Sequence, residues 1–398
     1  MNALKWIVGV LATLLIGACT VNSHLATTGA DEVSENNHFK NGRFYNEQAI
    51  APSSLGKTFG ILKRFLTEKK PDSEPSTELP VRPVSRDQLL QLSNSELHMV
   101  KLGHSSVLLK VYGEFWLLDP VFSERASPFS FLGPKRFHPT PIAIADLPPI
   151  DKILISHNHY DHLDKAAIQQ LNQKTTQFLV PLGVAGDLIK WGVAADKVVS
   201  FDWWQELETS LGLVAFTPTR HFSGRALNDG NTSLWGSWVI KTGNENLFFS
   251  GDSGYFNGFK KIGRKYGPFD LTMIETGAYD KDWPDVHMTP EQSVQAHQDL
   301  QGRVMIPIHN GTFDLAFHAW YEPLERVTEI AGQQQVLLST PVVGEVFSAR
   351  QEPIAYRWWQ SLIEPESYSQ SDTERANEDN NKAVVSESLE GATASNYL

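Results

Sequence analysis

The apolar and polar positions of this chain change rhythm several times along its length. Over residues 58–70, Phe59, Ile61, Leu62, Phe65 and Leu66 recur at helical spacing against Lys57, Lys63, Arg64, Lys69 and Lys70. That pattern predicts an amphipathic helix with a basic face, packed on the body of the protein or laid on acidic lipid. Residues 71–83 are broken by prolines and read as a linker. From Glu96 onward the period drops to two. Runs at 98–110 and 114–118, divided at Gly113, predict a hairpin. Further short apolar runs at 153–156, 178–181, 197–200, 213–218, 235–241, 247–250, 271–274 and 303–308 predict strands. Helical spacing returns at 165–173, 184–191 and 290–300, the last with Thr289 as its cap and Pro290 and Glu291 in its first turn. Between the hairpin and the 153–156 strand, residues 126–149 form an aromatic, proline-rich loop. Beyond residue 362 apolar periodicity vanishes into Ser, Glu, Asn and Asp, which predicts a disordered acidic tail over 363–398.

Composition adds limits. The chain has 398 residues, 41% hydrophobic and 20% charged, which is globular and long enough for a large core. A formal charge of −12 argues against a protein that grips nucleic acid through overall charge. The single cysteine, Cys19, rules out an intramolecular disulfide. Lys5, the apolar stretch 6–16 and Gly17-Ala18 have the order of an export signal. Leu15-Ile16-Gly17-Ala18-Cys19 resembles a bacterial lipoprotein signal, with an uncleaved anchor or an ordinary signal as alternatives. The resemblance implies a signal peptide over 1–19, a lipidated Cys19, and an exported protein anchored to a membrane surface. In a diderm that surface is the outer membrane or the periplasmic face. Residues 20–83 are then tether, N-terminal arm and linker.

Candidate chemistry concentrates in Ile153-Leu154-Ile155-Ser156-His157-Asn158-His159-Tyr160-Asp161-His162. His157 and His159 lie two apart and share a face in extended backbone. Asp161 and His162 follow in the turn, within reach of a second metal beside the first. Imidazole and carboxylate donors suit zinc, iron or manganese. A metal pair needs more donors than this cluster holds, and other strand ends offer them. His221 follows the 213–218 run, Asp252 follows 247–250 through Gly251, and His309 follows 303–308. Gly251 lets the backbone turn close to the metals.

The set His157-X-His159-X-Asp161-His162, then His221, Asp252 and His309, resembles the metallo-β-lactamase superfamily in order and spacing. Flanking words narrow the likeness. Asp119-Pro120-Val121-Phe122-Ser123, Gly133-Pro134-Lys135-Arg136-Phe137, Leu147-Pro148-Pro149-Ile150-Asp151, Asp202-Trp203-Trp204 and Leu234-Trp235-Gly236-Ser237-Trp238 resemble N-acyl-phosphatidylethanolamine-hydrolysing phospholipase D. The likeness runs from about Phe59 to about Phe347. It implies an α/β fold, the αββα sandwich, over 84–362, and two zinc ions, with iron or manganese as alternatives. His157, His159 and His221 would hold one metal, Asp161, His162 and His309 the other, and Asp252 would bridge them. His287 matches the family's non-ligating active-site histidine, with Asp252 as the competing proton carrier, and Tyr160 matches a substrate-contacting tyrosine. Val286 stands where the family has Gln. Glu275 is an acid in an otherwise apolar family stretch, read as a partner that orients a ligating histidine.

The implied reaction is hydrolysis of N-acyl-phosphatidylethanolamine to N-acylethanolamine and phosphatidic acid, with metal-activated water attacking phosphorus. Phe129, Phe131 and Leu132, Trp203-Trp204 and the 58–70 helix are either groove walls or core. The expected partners are a phospholipid substrate and a membrane surface reached through Cys19; nucleic acid is not expected, and a homodimer stays open. Two alternatives remain. One is a related metallo-hydrolase acting on another phosphodiester or a sugar-phosphate lactone; the other is a non-catalytic metal-binding surface lipoprotein.

Overall fold

The computed structural model of the protein describes residues 38–51 and 54–363. The expected signal segment, Cys19 and the acidic tail from 364 onward lie outside the described residues. The chain divides into two compact units, Met1–Tyr356 and Arg357–Leu398. In the second, one short helix, Gln360–Ile363, is described.

Among the described residues the first unit begins with a hairpin of β1 (Phe39–Lys40) and β2 (Arg43–Phe44), then α1 (Leu55–Thr67) and α2 (Arg86–Gln91). Three strands follow, β3 (Leu97–Gly103), β4 (Ser106–Val111) and β5 (Glu114–Leu118), and after a long loop β6 (Ile150–Leu154). Next come α3 (Lys165–Leu171), β7 (Thr175–Pro181), α4 (Ala185–Lys190) and β8 (Val198–Phe201). The second half runs β9 (Glu206–Thr209), β10 (Gly212–Thr217), β11 (Ser237–Thr242), β12 (Asn246–Phe249), α5 (Gly258–Tyr266) and β13 (Phe269–Glu275). It closes with α6 (Pro290–Asp299), β14 (Gly302–Ile308), α7 (Glu322–Gln333), β15 (Leu337–Leu338) and β16 (Val346–Ser348).

The strands form two seven-stranded sheets, ordered β16-β3-β4-β5-β6-β7-β8 and β15-β14-β13-β12-β11-β10-β9. From β5 to β8 in one sheet, and from β12 to β15 in the other, neighbours run parallel. Parallel strands need crossovers, and the helices supply them on the outer faces. Side chains alternate between two apolar environments. Trp116 and Leu118 of β5 pack into the core between the sheets, with Phe216, Trp238, Phe249 and Ile306 from the other sheet. Phe115 and Leu117 point outward against Ile168, Leu171 and Leu188 of α3 and α4. Likewise Phe248 of β12 faces Phe259 and Ile262 of α5 and Val294 of α6. Helices, sheet, sheet, helices: this is the expected αββα sandwich, and burial on both faces explains why its strands read as near-continuous apolar runs.

Two local expectations change. The 98–110 run is two antiparallel strands, because the chain reverses at Gly103 (φ +122°) and His104 (φ +54°). The arm is less irregular than its polarity suggests: Phe44 is buried in the inter-sheet core, and its N–H donates to the Asn231 carbonyl at 2.8 Å.

Candidate metal centre

Each of the seven candidate ligands follows the end of a strand in one sheet or the other. His157, His159, Asp161 and His162 follow β6, His221 follows β10, Asp252 follows β12 and His309 follows β14. Three backbones meet beneath them. The Gly236 N–H donates to the Ser156 carbonyl at 3.0 Å, and a Cβ on Gly251 (φ +55°) would lie 2.6 Å from Cβ of Ser156 and 2.9 Å from the Gly236 carbonyl. Only glycine passes there, which brings Asp252 up against the histidines.

The seven expected ligands converge in two groups. In the first, His157 Nε2 lies 2.9 Å from His159 Nδ1, and His221 Nε2 lies 3.3 Å from the same atom. The outward nitrogens of two of these rings are occupied. His157 Nδ1 meets Ser156 Oγ at 2.9 Å, and His221 Nδ1 meets the Val286 carbonyl at 2.9 Å. With a proton on those outward nitrogens, both Nε2 atoms carry lone pairs turned toward His159 Nδ1. In the second group, His162 Nε2 and His309 Nε2 lie 3.6 and 3.3 Å from Asp161 Oδ2. Asp252 stands between the groups: Oδ2 is 3.1 Å from His309 Nε2, 3.7 Å from His221 Nε2 and 3.8 Å from His157 Nε2, and Oδ1 is 3.1 Å from His162 Nε2.

This arrangement fits a metal pair. His162 Nε2, His309 Nε2 and Asp252 Oδ1 are fully buried and make no hydrogen bond despite their short separations. Buried polar atoms that converge without satisfying one another need another partner, and a divalent cation is the one that imidazole and carboxylate share. Charge agrees. Burial pushes His159 down to about 4 and holds His157 and His221 well below the usual imidazole range, so all three offer neutral donors. Burial also opposes a charge on His309, but Asp252 and Asp161 outweigh it and hold that ring up to about 10. The carboxylates therefore draw positive charge to this spot.

Sequence reasoning missed several residues that hold the ligands in place. Asp119, at the end of β5, is fully buried; Oδ2 accepts from His162 Nδ1 at 2.7 Å and Ser156 Oγ at 2.5 Å, and Oδ1 accepts from Ser156 N–H at 2.7 Å. A carboxylate on the far nitrogen of a ligating histidine fixes its tautomer and raises its basicity. His104, in the β3–β4 turn, places Nε2 3.0 Å from Asp161 Oδ2 and its ring 3.9 Å from that of His309. Its backbone N–H donates to Thr312 Oγ1 at 2.6 Å, which anchors the left-handed turn. Only spatial proximity reveals His104, since it lies 57 residues from Asp161. Replacing it with Ala should weaken metal binding at the Asp161 side by about 10- to 100-fold and leave the His157 side intact. Chelator competition measures this; two unchanged affinities would show that His104 only fills space.

His287 lines the same cleft, and its Nδ1 is hydrogen-bonded to Glu275 Oε1. Glu275 is fully buried, and its other oxygen accepts from Ser253 N–H at 2.7 Å. The histidine it orients is therefore His287, not one of the candidate ligands as expected. Tyr160 lies apart. Its hydroxyl donates to the Arg225 carbonyl at 2.8 Å, the Arg225 guanidinium sits 4.0 Å above its ring, and it lines a second cleft of about 850 Å³ with Phe129 and Trp191. The cleft in front of the ligands, about 800 Å³, is lined by His159, Asp161, Asp252, His287 and His309. Ile50, Ile61, Phe222, Trp283, Pro284 and Leu315 add apolar lining, and Lys57, Asp282 and Asp285 add charge. Of the expected apolar walls, the α1 helix contributes Ile61. Trp203 is instead core, 6% exposed, with Nε1 donating to the Trp235 carbonyl at 2.6 Å.

Residues 116–310 match the family model described as a beta-lactamase superfamily domain. An uncharacterised protein of Mycobacterium tuberculosis is 37% identical over 345 residues, covering 84% of this chain and 92% of that one. A Caenorhabditis elegans protein named N-acyl-phosphatidylethanolamine-hydrolyzing phospholipase D 1 is 35% identical over 312 residues, covering 73% of this chain and 87% of its own. Among solved structures, Igni18, a metallo hydrolase of Ignicoccus hospitalis, is 19% identical with a TM-score of 0.50, covering 63% of this chain and 97% of its own. That last likeness bears on the fold alone.

Proposed function

We propose that this chain, which belongs to the metallo-β-lactamase superfamily and to its N-acyl-phosphatidylethanolamine phospholipase D-like family, is a metal-dependent hydrolase of N-acyl-phosphatidylethanolamine. The observation that carries the reading is the mixed lining of the cleft. Ligand side chains and His287 share it with Ile50, Ile61, Trp283 and Leu315, which suits a phosphodiester joined to acyl chains. Zinc is the metal we assign to the nitrogen and oxygen donors, with iron or manganese as alternatives.

A bound divalent pair supplies an acidified water and offsets the charge that develops on the phosphate. The chain's own residues do the rest. Asp252 and Asp161 set the spacing of the two ligand groups, and Asp119 and Val286 fix the tautomers of His162 and His221. The water oxygen bonds to phosphorus, the bond from phosphorus to the ethanolamine oxygen breaks, and phosphatidic acid and N-acylethanolamine result. The leaving oxygen takes a proton. His287, with Nδ1 tied to Glu275, has Nε2 left for that transfer. Asp252, 3% exposed and wedged between four imidazoles, would instead help to hold the metals.

We also propose that the protein is exported and tethered to a membrane through Cys19. Among the described residues no helix is long and apolar enough to cross a membrane. The test is a product analysis. Metal-replete protein and N-acyl-phosphatidylethanolamine vesicles should yield phosphatidic acid and N-acylethanolamine in equal amounts by mass spectrometry, with His159→Ala silent. A metal-loaded protein that leaves this lipid intact while cleaving a soluble phosphodiester would keep the hydrolase and overturn the substrate.

A further inference from the structure

Of residues 38–51 only Phe44 is fully buried, yet this polar arm is fastened along the strand end that carries His221. The pairing of β10 with β11 stops at Thr217 and Ser237. His221 lies beyond that point and is fully buried, so its backbone N–H and carbonyl need partners from elsewhere. Asn46 supplies both. Its side-chain oxygen accepts from the His221 N–H at 3.0 Å, and its NH2 donates to the His221 carbonyl at 2.7 Å. A side-chain amide carries one acceptor and one donor group, the pair that an adjacent strand would offer. Trp235 Nε1, a donor only, reaches the same Asn46 oxygen at 3.1 Å and so fixes which way the amide faces. Further along the arm, the Arg220 guanidinium donates to the Ala49 carbonyl at 2.7 Å and pairs with Asp285 at 2.8 Å. The other Asp285 oxygen accepts from the Ala51 N–H at 3.0 Å.

We propose that Asn46 is a positioning residue for the metal centre, its amide fixing the backbone of His221 so that Nε2 is aimed into the first ligand group. This rests on the metal reading above, and not on the choice of substrate. The Val286 carbonyl, 2.9 Å from His221 Nδ1, fixes the ring, and Asp285 beside it ties the same loop to the arm. A ligating side chain keeps its aim only if backbone and ring are both held. The arm that the sequence presents as part of a tether therefore belongs to the site, where Tyr45, Asn46, Ala49 and Ile50 also line the ligand cleft. Coupling between two sites is reciprocal. A seated arm that favours a metal on His157, His159 and His221 is itself favoured, by the same factor, when that metal binds. The Asp161 group is held instead by Asp119 and His104, so the effect belongs to the first group. An Asn46 that only braced the fold would change stability and leave both metal affinities alone.

The test is a zinc titration of the chelated full chain against a chromophoric competitor. Asn46→Ala should weaken one of the two zinc affinities at least about tenfold and leave the other unchanged. Glu47→Ala, on the same arm but paired at 2.8 Å with exposed Lys261, should leave both as they are. In a His159→Ala background, which removes the first group, Asn46→Ala should have no further effect on the zinc that remains. Hydrogen exchange of the parent gives a second reading that needs no arm variant: zinc should slow the amides of residues 44–51, and should not do so in His159→Ala. Equal affinities in parent and Asn46→Ala, with arm exchange indifferent to zinc, overturn the positioning role and leave the metal centre standing. Weakening of both affinities alike overturns it too, as a general loosening of the fold. A parent that takes up no zinc sinks the metal reading and this proposal with it.

Discussion

Asp252→Ala is expected to strip both halves of the metal centre and to lower turnover by at least about 10³-fold, the several kcal/mol that metal assistance supplies. Four of the five candidate imidazole ligands lie within 3.8 Å of an Asp252 oxygen, two of them at 3.1 Å. Asp161 reaches only His162 and His309 among these, at 3.6 and 3.3 Å. Without Asp252 the first group is three neutral rings with no anion, and the second loses half of its negative charge. Metal content by mass spectrometry and turnover should therefore fall together, while circular dichroism stays native. A variant that keeps two metals and the parent rate would show that Asp252 does not bridge.

Trp238→Ala should cost about 3–5 kcal/mol of folding stability, the range for deleting a large buried aromatic. The Trp238 ring is fully buried between the sheets, with centroids 4.7 Å from Phe216 and 5.1 Å from Phe201. Its Nε1 donates at 3.0 Å to the carbonyl of Ile155, two residues ahead of His157. The substitution leaves a cavity and a buried carbonyl without this donor, directly under the ligand turn. Urea unfolding measures the loss. A change below about 1 kcal/mol would mean that the sheets close over the gap.

The convergence of the seven candidate ligands is legible in sequence for a physical reason. Strands buried on both faces make compact apolar runs, and a donor residue just past such a run must lie at a sheet edge with the others. What remained hidden had no such local mark. Asp119 and His104 act on residues 43 and 57 positions away, and no periodicity reports that distance. Helix α5 escaped because Gly258 and Gly263 dilute its pattern. Gly263 is there for packing, since a Cβ would meet the Asp299 carbonyl at 2.2 Å. Helix α7 did carry a readable stripe in Leu324, Val327, Ile330 and Ala331, all buried. The one expected site residue that stands away from the ligand cleft is Tyr160. In a turn this tight, adjacent side chains point to opposite sides, and Tyr160 follows the Arg225 side while His159 follows the metals.

The most direct test of the account is a metal titration of the chelated full chain. Reconstituted with zinc and freed of excess by gel filtration, it should retain two ions per chain, with the second lost from Asp161→Ala. Saturation at a single ion, or at none with the fold intact, would contradict the dinuclear centre on which the proposed chemistry depends.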